Sequence, residues 1–166
     1  MVVTNQRIVH VGMGELTITN DVSVVLSCVG LGSCIALCVY DPVIKMGGMA
    51  HMLLPACRIS HDVGLLPSKY INTGTPLLIE RMLKQGSQKQ DLIVKITGGA
   101  RMLAIPGNSQ LDIGQKNIAE VNAALTRECL KICNADVGGE FGRSVTFQVD
   151  CGRITVKSIS GRFIDL

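Results

Sequence analysis

Tryptophan is absent from this 166-residue chain, and the aromatic residues together make up only 3% of it. A core without large rings must be filled by Val, Ile, Leu, Met and Cys, which suits β-rich layers accompanied by a few helices. Charge is also scarce, at 17% Asp, Glu, Lys and Arg against 47% hydrophobic residues, and that balance excludes a disordered chain. The formal net charge of +3 is mild, and no run of Lys and Arg interleaves with aromatics, so a nucleic-acid platform is not expected. No apolar run approaches the ~20 residues that span a bilayer. Residues 1–11, with Thr4, Asn5, Gln6 and Arg7, lack the apolar stretch of a signal peptide. Seven cysteines, an odd number, lie in segments that otherwise read as core strands and helices. That pattern fits reduced thiols in a cytoplasmic protein better than a disulfide framework, with no direct membrane insertion. The length fits one domain over residues 1–166.

Residues 7–11 and 15–19 read as short strands parted by Gly12-Met13-Gly14. The apolar run 22–29 is too short and too β-branched for a helix, and Gly30-Leu31-Gly32-Ser33 interrupts it as an elbow. Residues 34–40 are strand-like up to Asp41-Pro42, and 47–54 form the return strand. The polar stretch 56–69, with Arg58, Ser60, His61 and Asp62, reads as a surface loop. A helix is expected over 70–85, stopped by Gly86, with Ile71, Leu77, Leu78 and Met82 as its stripe and Pro76 kinking its start. A strand follows at 91–96, ending in Thr97-Gly98-Gly99-Ala100. A second helix is expected over 114–133, with Ile118, Val121, Leu125, Cys129 and Ile132 on one side. Residues 144–149 and 153–159 alternate as a hairpin about Asp150-Cys151-Gly152.

The chemistry-bearing residues come from the first hairpin. Asp41-Pro42-Val43-Ile44 has the Asp and Pro that a type I turn prefers. Folding the strands back with residue 41 opposite 44 puts Cys34 opposite His51, with Cβ atoms roughly 4.5–5.5 Å apart. An imidazole so placed takes the thiol proton and leaves a nucleophilic sulfur. Gly30 and Gly32 free the backbone to approach a substrate, and the N–H groups around Ser33 and Cys34 can aim at an oxyanion. A Cys in an apolar strand is ordinarily an inert core residue, and a His amid Met49, Ala50, Met52 and Leu53 is ordinarily a satisfied buried imidazole. Spacing alone leaves both readings standing.

Three runs carry a resemblance: Gly30-Leu31-Gly32-Ser33-Cys34-Ile35-Ala36, Tyr40-Asp41-Pro42, and Gly48-Met49-Ala50-His51-Met52-Leu53-Leu54-Pro55. It continues in residues 95–102, in Asp112-Ile113-Gly114-Gln115-Lys116-Asn117, in Gly138-Gly139, in residues 142–145 and in the final hairpin. Together these resemble the CheD family of chemoreceptor glutamine deamidases. The resemblance implies an α+β fold, a three-layer α/β/β sandwich with mixed, largely antiparallel sheets and two main helices on one face. It implies Cys34 as catalytic cysteine, His51 as catalytic histidine and no cofactor. The implied substrates are glutamines on the cytoplasmic region of chemoreceptors, with methylesterase activity attributed to some members. A CheC-type phosphatase is the implied partner. The family's third catalytic position is typically Thr and is Cys28 here, so Cys28 is a candidate only; Ser27 beside it should point to the other face.

The expected mechanism is attack by Cys34 on the glutamine carboxamide, with Gly32, Ser33 and Cys34 backbone framing the oxyanion and His51 shuttling the proton. Met102 and Leu103, at the tip of the loop after Gly98-Gly99, are the candidate partner-binding edge, though plain loop packing explains them equally well. Two rivals remain. A metal could sit on Cys28, Cys34, Cys38 and His51, or on Cys57 and His61, but the spacings are not those of zinc knuckles, so no metal is expected. Cys129 and Cys133 read as helix core. The other rival is a weakly active module that docks a phosphatase or receptor.

Overall fold

The computed structural model describes residues 6–57, 66, 68–102 and 112–166. Among the described residues ten strands and two α-helices follow one another: β1 (Arg7–His10), β2 (Leu16–Thr19), β3 (Val24–Leu31), β4 (Ile35–Asp41), β5 (Met46–Met52), α1 (Ile71–Lys84), β6 (Ile93–Gly98), α2 (Ile113–Arg127), β7 (Ile132–Val137), β8 (Arg143–Gln148), β9 (Arg153–Ser158) and β10 (Phe163–Asp165). One sheet has the order β1-β3-β8-β9-β10 and the other β2-β5-β4-β6-β7. The pairs β1–β3 and β6–β7 are parallel and the rest antiparallel. The fold is therefore the expected α+β sandwich with mixed sheets.

Burial along β4 shows how the layers stack. All seven of its residues are buried, because both faces are covered. Ile35, Leu37 and Val39 join a core with Leu78, Ile79 and Met82 of α1 and Val121, Ala124 and Leu125 of α2. Alternation turns Ala36, Cys38 and Tyr40 the other way, into a second core with Leu26 and Cys28 of β3 and Val145 and Phe147 of β8. Helices, central sheet and outer sheet thus form three layers, and the outer two have no direct need of each other. The Tyr40 and Phe147 rings meet edge to face across the inter-sheet core, 5.9 Å apart.

The β4–β5 register departs from the expected one. Asp41 pairs with Met46, not Ile44, and Ala36 rather than Cys34 lies opposite His51. Residues 42–45 form the loop: the buried Asp41 carboxylate accepts from the Val43 and Ile44 amides at 2.9 and 3.3 Å, and Lys45 takes a left-handed φ of 51°. The turn is held by that side chain and not by a two-residue connection. A shift of two positions preserves the faces, so Cys34 and His51 still point toward the inter-sheet side, diagonal to one another.

The second helix is shorter than its apolar spacing suggests. It ends at Arg127, where Leu130 N–H bonds Leu125 carbonyl and Cys129 N–H bonds Thr126 carbonyl, at 2.9 and 3.0 Å. This is a Schellman end, with Cys129 in the left-handed position (φ 57°) that Gly usually fills. Residues 132–137 are a strand instead, and Cys129 and Cys133 are both exposed, not helix core. The Gly30-Leu31 elbow is likewise part of β3, which runs to Leu31 through an irregularity after Cys28. β10 has no counterpart in the sequence reading. Among the described residues no helix is long and apolar enough to cross a membrane.

Phe147 is fully buried between the sheets. Phe147→Ala is expected to cost about 3–5 kcal/mol of stability, read by urea denaturation; a loss within measurement error would contradict the packing described.

Candidate active site

β1 and β2 lie in different sheets, and the turn between them delivers the first contact to His51. Val11, just past β1, is buried, and its carbonyl oxygen is 3.4 Å from His51 Nδ1. Cys28 Sγ, reaching in from β3 of the outer sheet, is 3.1 Å from the same nitrogen. A carbonyl oxygen only accepts, so this pairing assigns the proton to Nδ1. Nε2 then carries the lone pair, and it is buried with no hydrogen-bond partner among the described residues. The backbone of His51 is fixed on the other side: Gly14 N–H bonds its carbonyl and its N–H bonds the Glu15 carbonyl, at 2.8 and 3.0 Å.

Cys34 sits just before β4, half-buried at the edge of the inter-sheet core. The turn that carries it is tied down from behind. Ala100 N–H bonds the Gly32 carbonyl and Gly99 N–H bonds the Cys34 carbonyl, at 2.9 and 2.8 Å. Gly98 has φ +112°, and a Cβ there would lie 2.1 Å from the Cys34 carbonyl oxygen, so only glycine allows this approach. Gly98, Gly99 and Ala100 are buried and form the seat of the Cys34 turn, while Met102 is 53% exposed. Met102 packs its Cγ within 2.8 Å of where a Gly32 Cβ would stand. It borders a cleft of about 120 Å³ lined by Ser33, Ala100, Arg101, Met102, Asp112, Ile113 and Gly114.

The expected site residues therefore separate as follows. Cys28, His51 and Cys34 converge between the sheets, Gly32 and Ser33 form the turn, and Met102 lies against it. Leu103, Arg58, Ser60, His61 and Asp62 lie outside the described residues. No hydrogen bond joins Cys34 to His51 among the described residues. A thiol rotamer change is fast, and catalytic contacts are often long before substrate arrives. Among the described residues no cluster of three or more His, Cys, Asp and Glu is placed to hold a metal.

Burial governs the electrostatics. It holds the His51 imidazole below its usual range, partly offset by the Val11 carbonyl. It raises the Cys34 thiol, with the residue's own N–H acting against the rise. Burial, and next the nearby Cys34, push the Cys28 thiol up to about 12. At neutral pH the resting site thus holds neutral thiols and a neutral imidazole, not a thiolate–imidazolium pair.

Comparison with known proteins now adds to this geometry. The family described as CheD chemotactic sensory transduction matches residues 53–158. The chain belongs to the CheD family. A relative from Symbiobacterium thermophilum, named "Probable chemoreceptor glutamine deamidase CheD", is 38% identical over 94% of this chain and 95% of its own. One of the same name from Desulfitobacterium hafniense is 39% identical over 93% of this chain and 95% of its own. A third, from Anaeromyxobacter dehalogenans and named "Probable chemoreceptor glutamine deamidase CheD 2", is 40% identical over 91% and 94%. These CheD relatives match nearly end to end, so both halves of the converging site lie inside the shared length.

Two site residues escaped the sequence reading. Val11 gave no signal, since a backbone carbonyl is invisible in residue type. Asn117 did give one: it falls on the buried stripe of α2 with Gly114, Val121, Ala124 and Leu125, and a polar residue in such a stripe needs a partner.

Nitrogen-detected NMR of His51 should show an imidazole protonated at Nδ1 and titrating below 6.5, because burial disfavours the cation. An Nε2-protonated ring, or a midpoint above 6.5, would contradict this arrangement.

Proposed function

We propose that the chain is a protein-glutamine deamidase that converts specific glutamines of the cytoplasmic region of chemoreceptors to glutamate. The observation that carries the reading is a histidine fixed through Nδ1, with a bare, buried Nε2 on the face shared with Cys34. The family's relatives named for this activity supply the substrate class. No cofactor is required by the chemistry.

Cys34 gives its proton to His51 Nε2 as its sulfur attacks the carboxamide carbon. The C–S bond forms, and the carbonyl electrons move onto oxygen, which the backbone N–H of the Ser33–Cys34 turn receives. His51, now an imidazolium with Nδ1–H against Val11 and Cys28, protonates the amide nitrogen, and the C–N bond breaks to release ammonia. Water then gives a proton to Nε2 and attacks the thioester; the C–S bond breaks, and glutamate leaves as Cys34 regains its proton. A methyl ester at the same place enters the same sequence with methanol as the leaving group.

A binding module with little activity is the second reading, favoured by one observation: the raised thiol of Cys34 is not activated at rest. Slow alkylation of Cys34 fits both readings, so turnover decides between them. The Cys28–His51 contact supports the enzyme, because the usual Thr hydroxyl and this sulfur can both accept from Nδ1–H. A CheC-type phosphatase is proposed to dock at the Met102 edge, and the cytoplasm is the proposed place of action.

Cys34→Ala should abolish ammonia release from a receptor cytoplasmic fragment while the protein stays folded; undiminished release ends the proposal. The base must be unprotonated, and burial lowers its pKa, so the acid limb of kcat/KM should have its midpoint below the usual imidazole range. Cys28→Thr should keep turnover, whereas Cys28→Ala should lower kcat by about tenfold or more through loss of imidazole orientation. Equal rates for the two variants would remove Cys28 from the site.

A further inference from the structure

We infer that Asn117 of α2 is a positioning residue for the Cys34 reaction, clamping the nucleophile turn to the histidine strand where their backbone pairing ends. The inference rests on the deamidase reading above. The β4–β5 ladder stops at Ile35 and Met52. One step further, Cys34 and Leu53 are no longer paired, yet these positions fix the sulfur relative to the imidazole. Asn117 fills that gap. Its Nδ2 donates to the Ser33 carbonyl and to the Leu53 carbonyl, each at 2.8 Å. The side chain acts as a surrogate rung, supplied from the helical layer.

Three observations set this apart from incidental polar packing. Asn117 is wholly buried, and its Oδ1 is buried with no hydrogen-bond partner among the described residues. A flipped amide would press Oδ1 against two carbonyl oxygens, so the orientation is forced. The residue therefore leaves an acceptor unsatisfied in order to keep both donors on these two carbonyls, which an apolar residue of similar size would not need.

The second consequence is directional. In a trans peptide the C=O and N–H point opposite ways, and the described residues hold no cis peptide. Turning the Ser33 carbonyl toward α2 therefore turns the Cys34 N–H away from it, to the side of its own sulfur. The Gly32 and Cys34 carbonyls are held by Ala100 and Gly99, so the whole turn is fixed with that N–H on the side where the oxygen of a carbon bonded to the sulfur would come. Asn117 touches neither substrate nor sulfur; it sets the donor that does.

The test compares wild type, Asn117→Ala and Asn117→Asp on a receptor cytoplasmic fragment. The Ala variant should lose about 10–10²-fold in kcat with KM nearly unchanged, since a donor aimed at the oxyanion acts in the transition state. The Asp variant is isosteric; protonated it keeps one donor, and ionised it keeps none. Its kcat should therefore carry an extra limb, falling as pH rises through the titration of the buried carboxyl, which wild type lacks. Unchanged kcat in folded variants, a loss confined to KM, or failure of both variants to fold would each overturn the inference in favour of a structural role. An inactive wild type overturns the deamidase reading instead. The clamp is then judged by the Ser33 and Leu53 carbonyl ¹³C shifts, which must move in Asn117→Ala; unmoved shifts overturn it.

Discussion

The antiparallel pairing of β4 with β5 sets where Cys34 and His51 stand relative to one another. His51 lies within that ladder, opposite Ala36, and Cys34 hangs one residue beyond its last rung. The loop that sets the register is governed by a single buried carboxylate, because Asp41 takes the amides of Val43 and Ile44 and leaves Lys45 to close the turn with a left-handed backbone. A slip of one residue would send His51 into the helical core, where Met52 now packs with Ile71 and Leu78. Both faces of the pair are buried, so such a slip would also expose no compensating surface. The register is accordingly the least negotiable feature of the fold, and the site inherits that rigidity.

Beyond the ladder, rigidity is supplied by other means. The Gly98-Gly99-Ala100 segment lies directly behind the turn that carries Cys34, and the absence of a side chain at Gly98 lets the two backbones meet. Gly114 makes the next contact possible, since a Cβ there would fall 2.5 Å from the Ala100 carbonyl oxygen. Sheet, loop and helix thus stack backbone upon backbone, with Asn117 one turn along the same helix reaching the turn from the side. The helical layer is in this way part of the proposed site as well as a cover for the sheet.

How far the sequence revealed this depends on whether each feature is written in residue type. The first helix was legible to within a residue because Gly86 occupies its left-handed end, with Gly86 N–H on Leu83 and Ser87 N–H on Met82. The second helix has the same end geometry, but Cys129 stands where glycine was to be expected. Its apolar spacing runs on unbroken to Cys133, so the pattern takes in Ile132 and Cys133, the first two residues of β7. Cys34, His51 and Cys28 were legible through the family's motifs and the parity of strands, which survives an error of two in register. Which residues face each other was not, because Asp-Pro marks the turn without giving its length, and the loop of residues 42–45 puts Asp41 opposite Met46. Met52, Leu78 and Met82 were legible as apolar, yet only the two-sided burial of β4 and β5 shows why hydrophobic runs, and not alternation, mark these strands.

Two sulfurs flank one imidazole, and burial decides which of them can act. Cys28 lies wholly within the inter-sheet core, its thiol pushed up to about 12, and it meets His51 at the nitrogen that already carries a proton. Cys34 lies at the rim, half-buried, with its own N–H opposing the effect of burial. Cys28 therefore keeps its proton throughout the range in which His51 titrates and never competes for Nε2. Its sulfur then accepts from Nδ1–H. In the proposed reaction the proton therefore passes from Cys34 to Nε2, and the buried Cys28 thiol keeps its own proton throughout.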